Sequence, residues 1–534
     1  MPKKQIAVVQ LTNETYDLPV SMGEEAKIVF RRSGGGMGAM TRLITNALIK
    51  RDLRVDIITP DYKTIFLDHA SAHHKMDYRE YVRFKHSIDQ RHIHLVSSVH
   101  FSRLRDIYEE PIQTAASFQE LSRERVKQLD GRYRNRMILH GHDQYTGVIA
   151  AYARARGIPY VHSLHNIYTL LLNRKARPVQ PGEPAQPSHF FHFDFEEYLP
   201  SAMDRVMDYL KETDMDSGVI DAHATAVANA DLVLPVGEQF TLELIAGRFD
   251  DWPELASSLP TIEEVRVKDR FGQVWPIKNP IDPKDLPENQ DHLEHSFSHL
   301  TLDVLEAKRL NRRAMQRQCG LTPDDDAIVV AWTSRLDQPQ KGVEDFIDLI
   351  PYALGLNERV QIVVIGDAPR DQQRYEQQLR ELMNIHRQRL YYQAFDQRRS
   401  DQLYAQADLV VGASRREPFG LFLTQAIAAG AVVTAPANGG TLDIVKPLDL
   451  QAGTGNGVIY NDPNREGLRW GLATSVRTLI EARTNRERWN RHVKQMMQDI
   501  RVEFSLDRYV DKLIAAYNRV AIERGLYEDG YVLL

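Results

Sequence analysis

A chain of 534 residues is too long for one hydrophobic core and suggests two or three domains. Its 67 basic and 73 acidic side chains leave a net charge of −6, which argues against a basic nucleic-acid-binding surface. Apolar content of 43% and charged content of 26% read as soluble and globular; one cysteine, Cys319, excludes a disulfide framework and a cysteine-based zinc site and fits a cytoplasmic setting; and neither a signal-like apolar start nor a run of about 18 apolar residues is present.

Residues 5–10 and 27–30 read as short apolar strands. RRSGGGMGAM follows at 31–40, then a helical pattern to about Lys50 and a strand at 54–59. Gly34, Gly36 and Ala39 fit a G-x-G-x-x-(G/A) dinucleotide fingerprint, with Asp56 as the acidic residue roughly twenty positions on. A nicotinamide or flavin site is one reading; a glycine turn needed only for packing is another.

At 136–166 a strand, MILH, leads into His142-Asp143, a helix and a second strand that ends at His165-Asn166. The Pro-rich run at 177–187 is expected to be irregular. It precedes aromatics interleaved with His189, His192 and Asp194, where a metal site could be drawn, although an acceptor lid or subunit contact suits them better. A domain boundary is expected within VWPIKNPIDP, 274–283.

Further on, strand AIVVAWTS delivers Arg335, and SRLDQPQKG carries the chain to Lys341. QIVVIGDA is another buried strand, and YYQAFDQ contains Phe395. From Ala407 to Val445 the pattern is strand, tight turn through Glu417-Pro418-Phe419-Gly420, helix, glycine and strand, closing on Gly439-Gly440. That is one βαβ unit of a parallel sheet. The backbone N–H groups after Gly420 suit a phosphate, and Glu417 stands at the carboxyl end of a strand, where open α/β sheets hold ligands. The run 500–520 has the spacing of an amphipathic helix.

Taken in order, these motifs resemble those of retaining glycosyltransferases with two Rossmann domains, the GT-B architecture of glycogen and starch synthases. Glu417-Pro418-Phe419-Gly420-Leu421 and Gly439-Gly440 match that family's donor signature, but many relatives carry a second Glu where this chain has Gln425. Gly35, Gly36 and Gly38 match the glycines of the K-T-G-G-L-G loop, with Ser33 in the lysine register and Arg32 the nearest cation. His142, Asp143, Thr146, Gly147, His165 and Asn166 match the HDWH and HN segments, with Gln144 and Tyr145 replacing Trp and His. SRLDQPQKG resembles S-R-L-x-x-Q-K-G with one extra residue between Arg335 and Lys341.

The resemblance implies an α/β protein with two Rossmann-like domains facing an interdomain cleft. An acceptor-side domain would occupy 1–279, with an insertion at 168–225; a nucleotide-sugar domain would occupy 280–499; and a helical end, 500–534, would cross back to the first. It implies a retaining transfer of a hexosyl group, glucosyl above all, from an ADP- or UDP-linked sugar to a glycan or other hydroxyl acceptor. His165, Arg335, Lys341 and Glu417 would be catalytic. Gly35, Gly36, Gly38, Asp143, Phe395, Gly420, Leu421, Gln425, Gly439 and Gly440 would bind the donor, with Phe395 on the base and Gln425 towards the ribose. Gln425→Glu, which restores the family pattern, is expected to keep activity.

No cofactor and no divalent metal are expected, because Arg335 and Lys341 would offset the charge of the leaving diphosphate. The nucleotide sugar is a substrate, and no nucleic acid or membrane partner is implied. The rival readings are a small-molecule or lipid acceptor with the same donor chemistry, a dinucleotide oxidoreductase, and a non-catalytic scaffold that keeps the fold.

Overall fold

A computed structural model describes residues 6–16, 18, 22, 36–67, 77–89, 92–105, 111–173, 208–212, 219–369 and 371–526. The strand expected at 27–30, Arg32, Ser33, Gly34 and Gly35 of the glycine loop, the Pro-rich run, and His189, His192 and Asp194 lie outside the described residues. Two compact units make up the chain: Met1–Val236 with Thr241–Ile277 and Val510–Leu534, and Gly237–Phe240 with Lys278–Tyr509.

The first unit is built on strands β1 (Ala7–Leu11), β2 (Arg54–Pro60), β3 (Ile93–Val96), β4 (Met137–His142) and β5 (Tyr160–Leu164). A two-stranded antiparallel ribbon follows, β6 (Leu171–Asn173) and β7 (Val219–Asp221), and then β8 (Leu232–Pro235). The sheet runs β3-β2-β1-β4-β5-β8 with every neighbour parallel. All residues of β1, β4, β5 and β8 are buried, as a parallel sheet covered on both faces requires. Polar side chains inside such strands therefore need partners. Asp56 in β2 is fully buried, and its carboxylate takes His94 Nε2 at 2.6 Å, His92 Nδ1 at 3.1 Å and the Tyr133 hydroxyl. Burial pushes this carboxyl up, but the three hydrogen bonds outweigh that and hold it well below the usual range. A carboxylate so consumed has no face for a ribose, which removes the acidic member of the dinucleotide fingerprint.

The second unit repeats the arrangement. Strands β9 (Ile328–Trp332), β10 (Val360–Ile365), β11 (Leu390–Gln393), β12 (Leu409–Val411), β13 (Val432–Pro436) and β14 (Gly457–Tyr460) form a parallel sheet ordered β11-β10-β9-β12-β13-β14. Each sheet, counted along its own segment, reads 3-2-1-4-5-6, the doubly wound Rossmann order. The order reverses between β1 and β4 in one unit and between β9 and β12 in the other, and ligands of such sheets bind beyond the strand ends at that reversal.

Helix Val304–Cys319 shows how local signals set element ends. Asp303 accepts from Glu306 N at 3.0 Å, and Gly320 closes the helix in a left-handed conformation. Within it Lys308 is buried, and its ammonium lies 2.9 Å from the carbonyl of Ala429, tying the helix to the end of Leu421–Ala428. No helix among the described residues is long and apolar enough to cross a membrane.

Candidate active site

In the second unit the loop after β9 carries Arg335 and then a short helix, Gln338–Lys341. The loop after β12 carries Ser414 and Glu417. Lys341 Nζ lies 2.6 Å from Glu417 Oε2, and Ser414 Oγ donates to the same oxygen at 2.9 Å. Both charges are largely withdrawn from water, with side-chain exposures of 13% and 8%, so the pair is a charge-assisted contact and not a screened surface bridge. Lys341 Nζ also lies 5.7 Å from the centre of the Phe422 ring. The cation and the carboxylate expected to be catalytic are therefore neighbours.

Helix Leu421–Ala428 begins one residue after Gly420, whose φ of +97° is open to glycine and strained for other residues. The Gly439-Gly440 turn lies against the same loop. Gly440 N donates to Glu417 O at 2.8 Å, and a Cβ at Gly440 would sit 1.8 Å from the Phe419 carbonyl oxygen. Asn438 completes the clamp, donating from Nδ2 to the carbonyls of Ser414 and Arg415 at 2.8 and 2.9 Å. The two separated glycine motifs thus form one rigid support, with Gly420 and Leu421 at the helix start and Gly439 opening the next helix.

Other expected residues are placed differently. Arg335 is 60% exposed and gives NH2 to Gln340 Oε1 at 2.9 Å, so it stands at the rim. Phe395 is half exposed, which removes core packing as its role, and its backbone N–H is fixed by Asp367 Oδ1 at 2.8 Å. Gln425 donates from Nε2 to Asp285 Oδ2 at 2.6 Å. Nearby Asp401 is pushed up to about 7 by burial and then by the charge of Asp285. A glutamate at 425 would add a third carboxyl beside Asp285 and Asp401, which weighs against the expectation that Gln425→Glu keeps activity.

In the first unit the corresponding corner is made by β1, β4 and β5. Glu14, just past β1, is buried and accepts from Gly38 N at 2.9 Å near the start of helix Gly36–Lys50. Gly36 opens that helix and is exposed. Asp143 follows β4 with φ of +47° and receives the backbone N–H groups of His165 and Asn166 on Oδ1 at 2.7 and 3.2 Å. Burial pushes its carboxyl up to about 7; these two donors oppose the shift and the charge of Glu14 adds to it.

His165 stacks on His142, ring centres 5.3 Å apart, with His142 Nδ1 3.0 Å from His165 Nε2. Burial, and then the neighbouring His223, hold His165 down to about 4, so at neutral pH the ring is uncharged. Sequence reasoning missed Gln10, His140, Tyr517 and Asp285, which support or approach these residues. Two signals were available: a lone Gln in the apolar strand AVVQL, and the alternation His140-Gly141-His142, which puts both rings on one face of β4. Among the described residues no cluster of three or more His, Cys, Asp or Glu could hold a metal ion.

Two family models match successive parts of the chain: the starch synthase catalytic domain over residues 28–249 and glycosyl transferases group 1 over 318–496. The chain has the fold of GT-B glycosyltransferases and is similar to glycogen and starch synthases. Granule-bound starch synthase 2 of Solanum tuberosum is 31% identical over 244 residues, 45% of this chain and 31% of that protein. The chain thus spans about a third of the length of that plant relative. The glycogen synthase of Pseudothermotoga lettingae is 22% identical over 437 residues, 80% of each chain. Among solved structures, the catalytic domain of starch synthase IV from Arabidopsis thaliana, bound to ADP and acarbose, has a TM-score of 0.71 at 19% identity, covering 97% of this chain and 99% of that one. At that identity the likeness speaks for the fold.

Proposed function

We propose that the chain transfers a hexosyl group, glucosyl above all, from an ADP- or UDP-linked sugar to a glycan acceptor, with retention at the anomeric carbon. The observation that carries the reading is the Lys341–Glu417 pair at the reversal point of the second sheet, beside the helix that starts after Gly420. A nucleoside diphosphate leaves as an anion. Lys341, Arg335 and the N–H groups of that helix supply the positive potential it needs, without a metal or other cofactor. Donor binding exchanges the carboxylate partner of Lys341 for phosphate oxygens, which frees Glu417 to accept hydrogen bonds from sugar hydroxyls. No pair of carboxylates flanking the bond is needed, in contrast to glycosidases.

The names of the relatives support a glycan acceptor and a nucleotide-sugar donor. The ADP in the starch synthase IV domain supports a diphosphate ligand. The test is a panel of ADP- and UDP-sugars offered with a glycan primer, with the anomer of the product read by NMR. Elongated glycan with the donor's anomeric configuration is expected. An inverted product would sink retention, and no transfer or hydrolysis from any donor would sink the enzyme.

A further inference from the structure

The rings around His165 form a hydrogen-bonded chain whose proton positions follow from chemistry. Gln10 Oε1 lies 2.8 Å from His142 Nε2. A carboxamide oxygen only accepts, so His142 carries its proton on Nε2 and presents a bare Nδ1. That Nδ1 is 3.0 Å from His165 Nε2, so the proton between them belongs to His165 Nε2. His165 Nδ1 is then bare, and no described hydrogen bond engages it although the residue is only half-buried.

The other end of the chain is anchored as firmly. Gln10 Nε2 lies 3.3 Å from the Tyr517 hydroxyl and 3.2 Å from His140 Nδ1. The Tyr517 hydroxyl is 2.6 Å from that same Nδ1, and His140 Nε2 is 2.8 Å from Ser163 Oγ. Gln10 and Tyr517 are wholly buried, as are His140 and, to within 1%, His142. Gln10 faces His140 directly across the β1–β4 ladder, and His142 faces Ser163 across β4–β5. Tyr517 belongs to helix Leu506–Glu523, whose residues from Val510 pack in this unit. Room on the other face of β4 is made by Gly141, where a Cβ would lie 2.1 Å from the Tyr160 hydroxyl.

We infer that Gln10 is a positioning residue that, through His142, fixes His165 as the Nε2–H tautomer, so that His165 accepts a hydrogen bond from a ligand hydroxyl on Nδ1 and cannot donate one there. Tyr517 and His140 hold the Gln10 amide in the orientation this requires. A sugar hydroxyl is a ligand of that chemistry, so the functional part of the inference rests on the transferase reading, whereas the tautomer does not.

The experiment is a two-bond proton–nitrogen correlation spectrum of the whole chain with 15N-labelled histidine, recorded at neutral pH. His165 is expected with Nε2 protonated and Nδ1 bare; Nδ1–H in the native protein would overturn the inference. Gln10→Met removes the acceptor and should move His142 and His165 to mixed tautomers, while Gln10→Glu, which keeps an acceptor for His142 Nε2–H, should restore the native pattern. With a nucleotide sugar, Gln10→Met should lose about tenfold in kcat with KM little changed, as for one hydrogen bond made in the transition state. Unchanged His165 signals in Gln10→Met would reduce Gln10 to a packing residue and contradict the proposal. Should Gln10→Met fail to fold, the native and Gln10→Glu spectra still decide it. A chain inert towards every donor but with the expected tautomer would sink the transferase reading and leave the positioning role standing.

Discussion

The two sheets have the same strand order and turn their reversal points into opposite electrostatic environments. Beyond β9 and β12 lies a buried ion pair, Lys341 with Glu417, over a helix N-terminus. At the ends of β4 and β5 lie neutral rings in close contact, His140, His142 and His165, with a carboxyl, Asp143, held up to about 7. Topology fixes where a ligand can bind; the few polar residues at the strand ends decide what it meets there. The charged corner suits a departing anion, and the rings of the other corner suit hydroxyls that carry no charge.

The sharpest way to break this contrast is to remove the cation. Lys341→Ala should lower turnover by about a hundredfold to a thousandfold, the usual effect of deleting one preorganised electrostatic group. It also leaves Glu417 without its partner, so a smaller loss of stability is expected alongside. Steady-state kinetics with a nucleotide sugar checks it, and near-normal turnover would take Lys341 out of the chemistry.

The neutral corner breaks with acid. His140 is held down to about 3 and His165 and His223 to about 4, in each case chiefly by burial, and His142 and His162 are also held well below a free histidine near 6.5. Between about 4 and 6.5 the unfolded chain therefore binds more protons at these rings than the folded one, and stability falls as pH falls. A shift from 6.5 to about 4 corresponds to roughly 3 kcal/mol for one ring. Asp143 works the other way: its folded value of about 7 lies above 3.8, so its contribution to stability declines as pH rises from about 4 and is lost above 7. Asp221, pushed up to about 6 by burial, and Asp130, also raised by burial, act as Asp143 does, so five rings stand against three carboxyls and acid loss is the net result. Thermal melts from pH 7.5 to 4.5 should show a falling Tm for the first unit, and a flat profile would contradict the buried neutral stack.

The smallest effect is expected at Gln425. Gln425→Ala removes the amide expected to face the ribose and, as for one neutral hydrogen bond, should cost about 0.5–1.5 kcal/mol in nucleoside diphosphate affinity. Gln425→Glu should cost more, because it sets a carboxylate against Asp285 and Asp401. Calorimetry on both variants ranks them, and a glutamate that bound as tightly as glutamine would mean that the acidic cluster adapts.

Much of the second corner was legible in the chain. Glu417-Pro418-Phe419-Gly420 and Gly439-Gly440 are local signals, since a strand end, a left-handed glycine and a helix start are all set within a few residues. The contact between Gly440 and the Phe419 carbonyl was not legible, because it depends on two strands lying side by side. The ring chain of the first unit was hidden for the same reason. Gln10, His140 and Tyr517 are separated by up to 507 positions and meet only in the folded sheet. Asp56 was misleading: it stood at the spacing of a ribose-binding acid, but two histidines from β3 and its approach had already claimed it.

The central claim is that the charged corner divides its labour, with Lys341 serving the diphosphate and Glu417 the sugar. Nucleoside diphosphate affinity by calorimetry, measured with turnover on Glu417→Ala, tests it most directly. The account predicts that turnover collapses by about a hundredfold or more while diphosphate affinity is kept, because the lysine remains to meet the phosphates. Loss of diphosphate affinity with turnover preserved at saturating donor would contradict it.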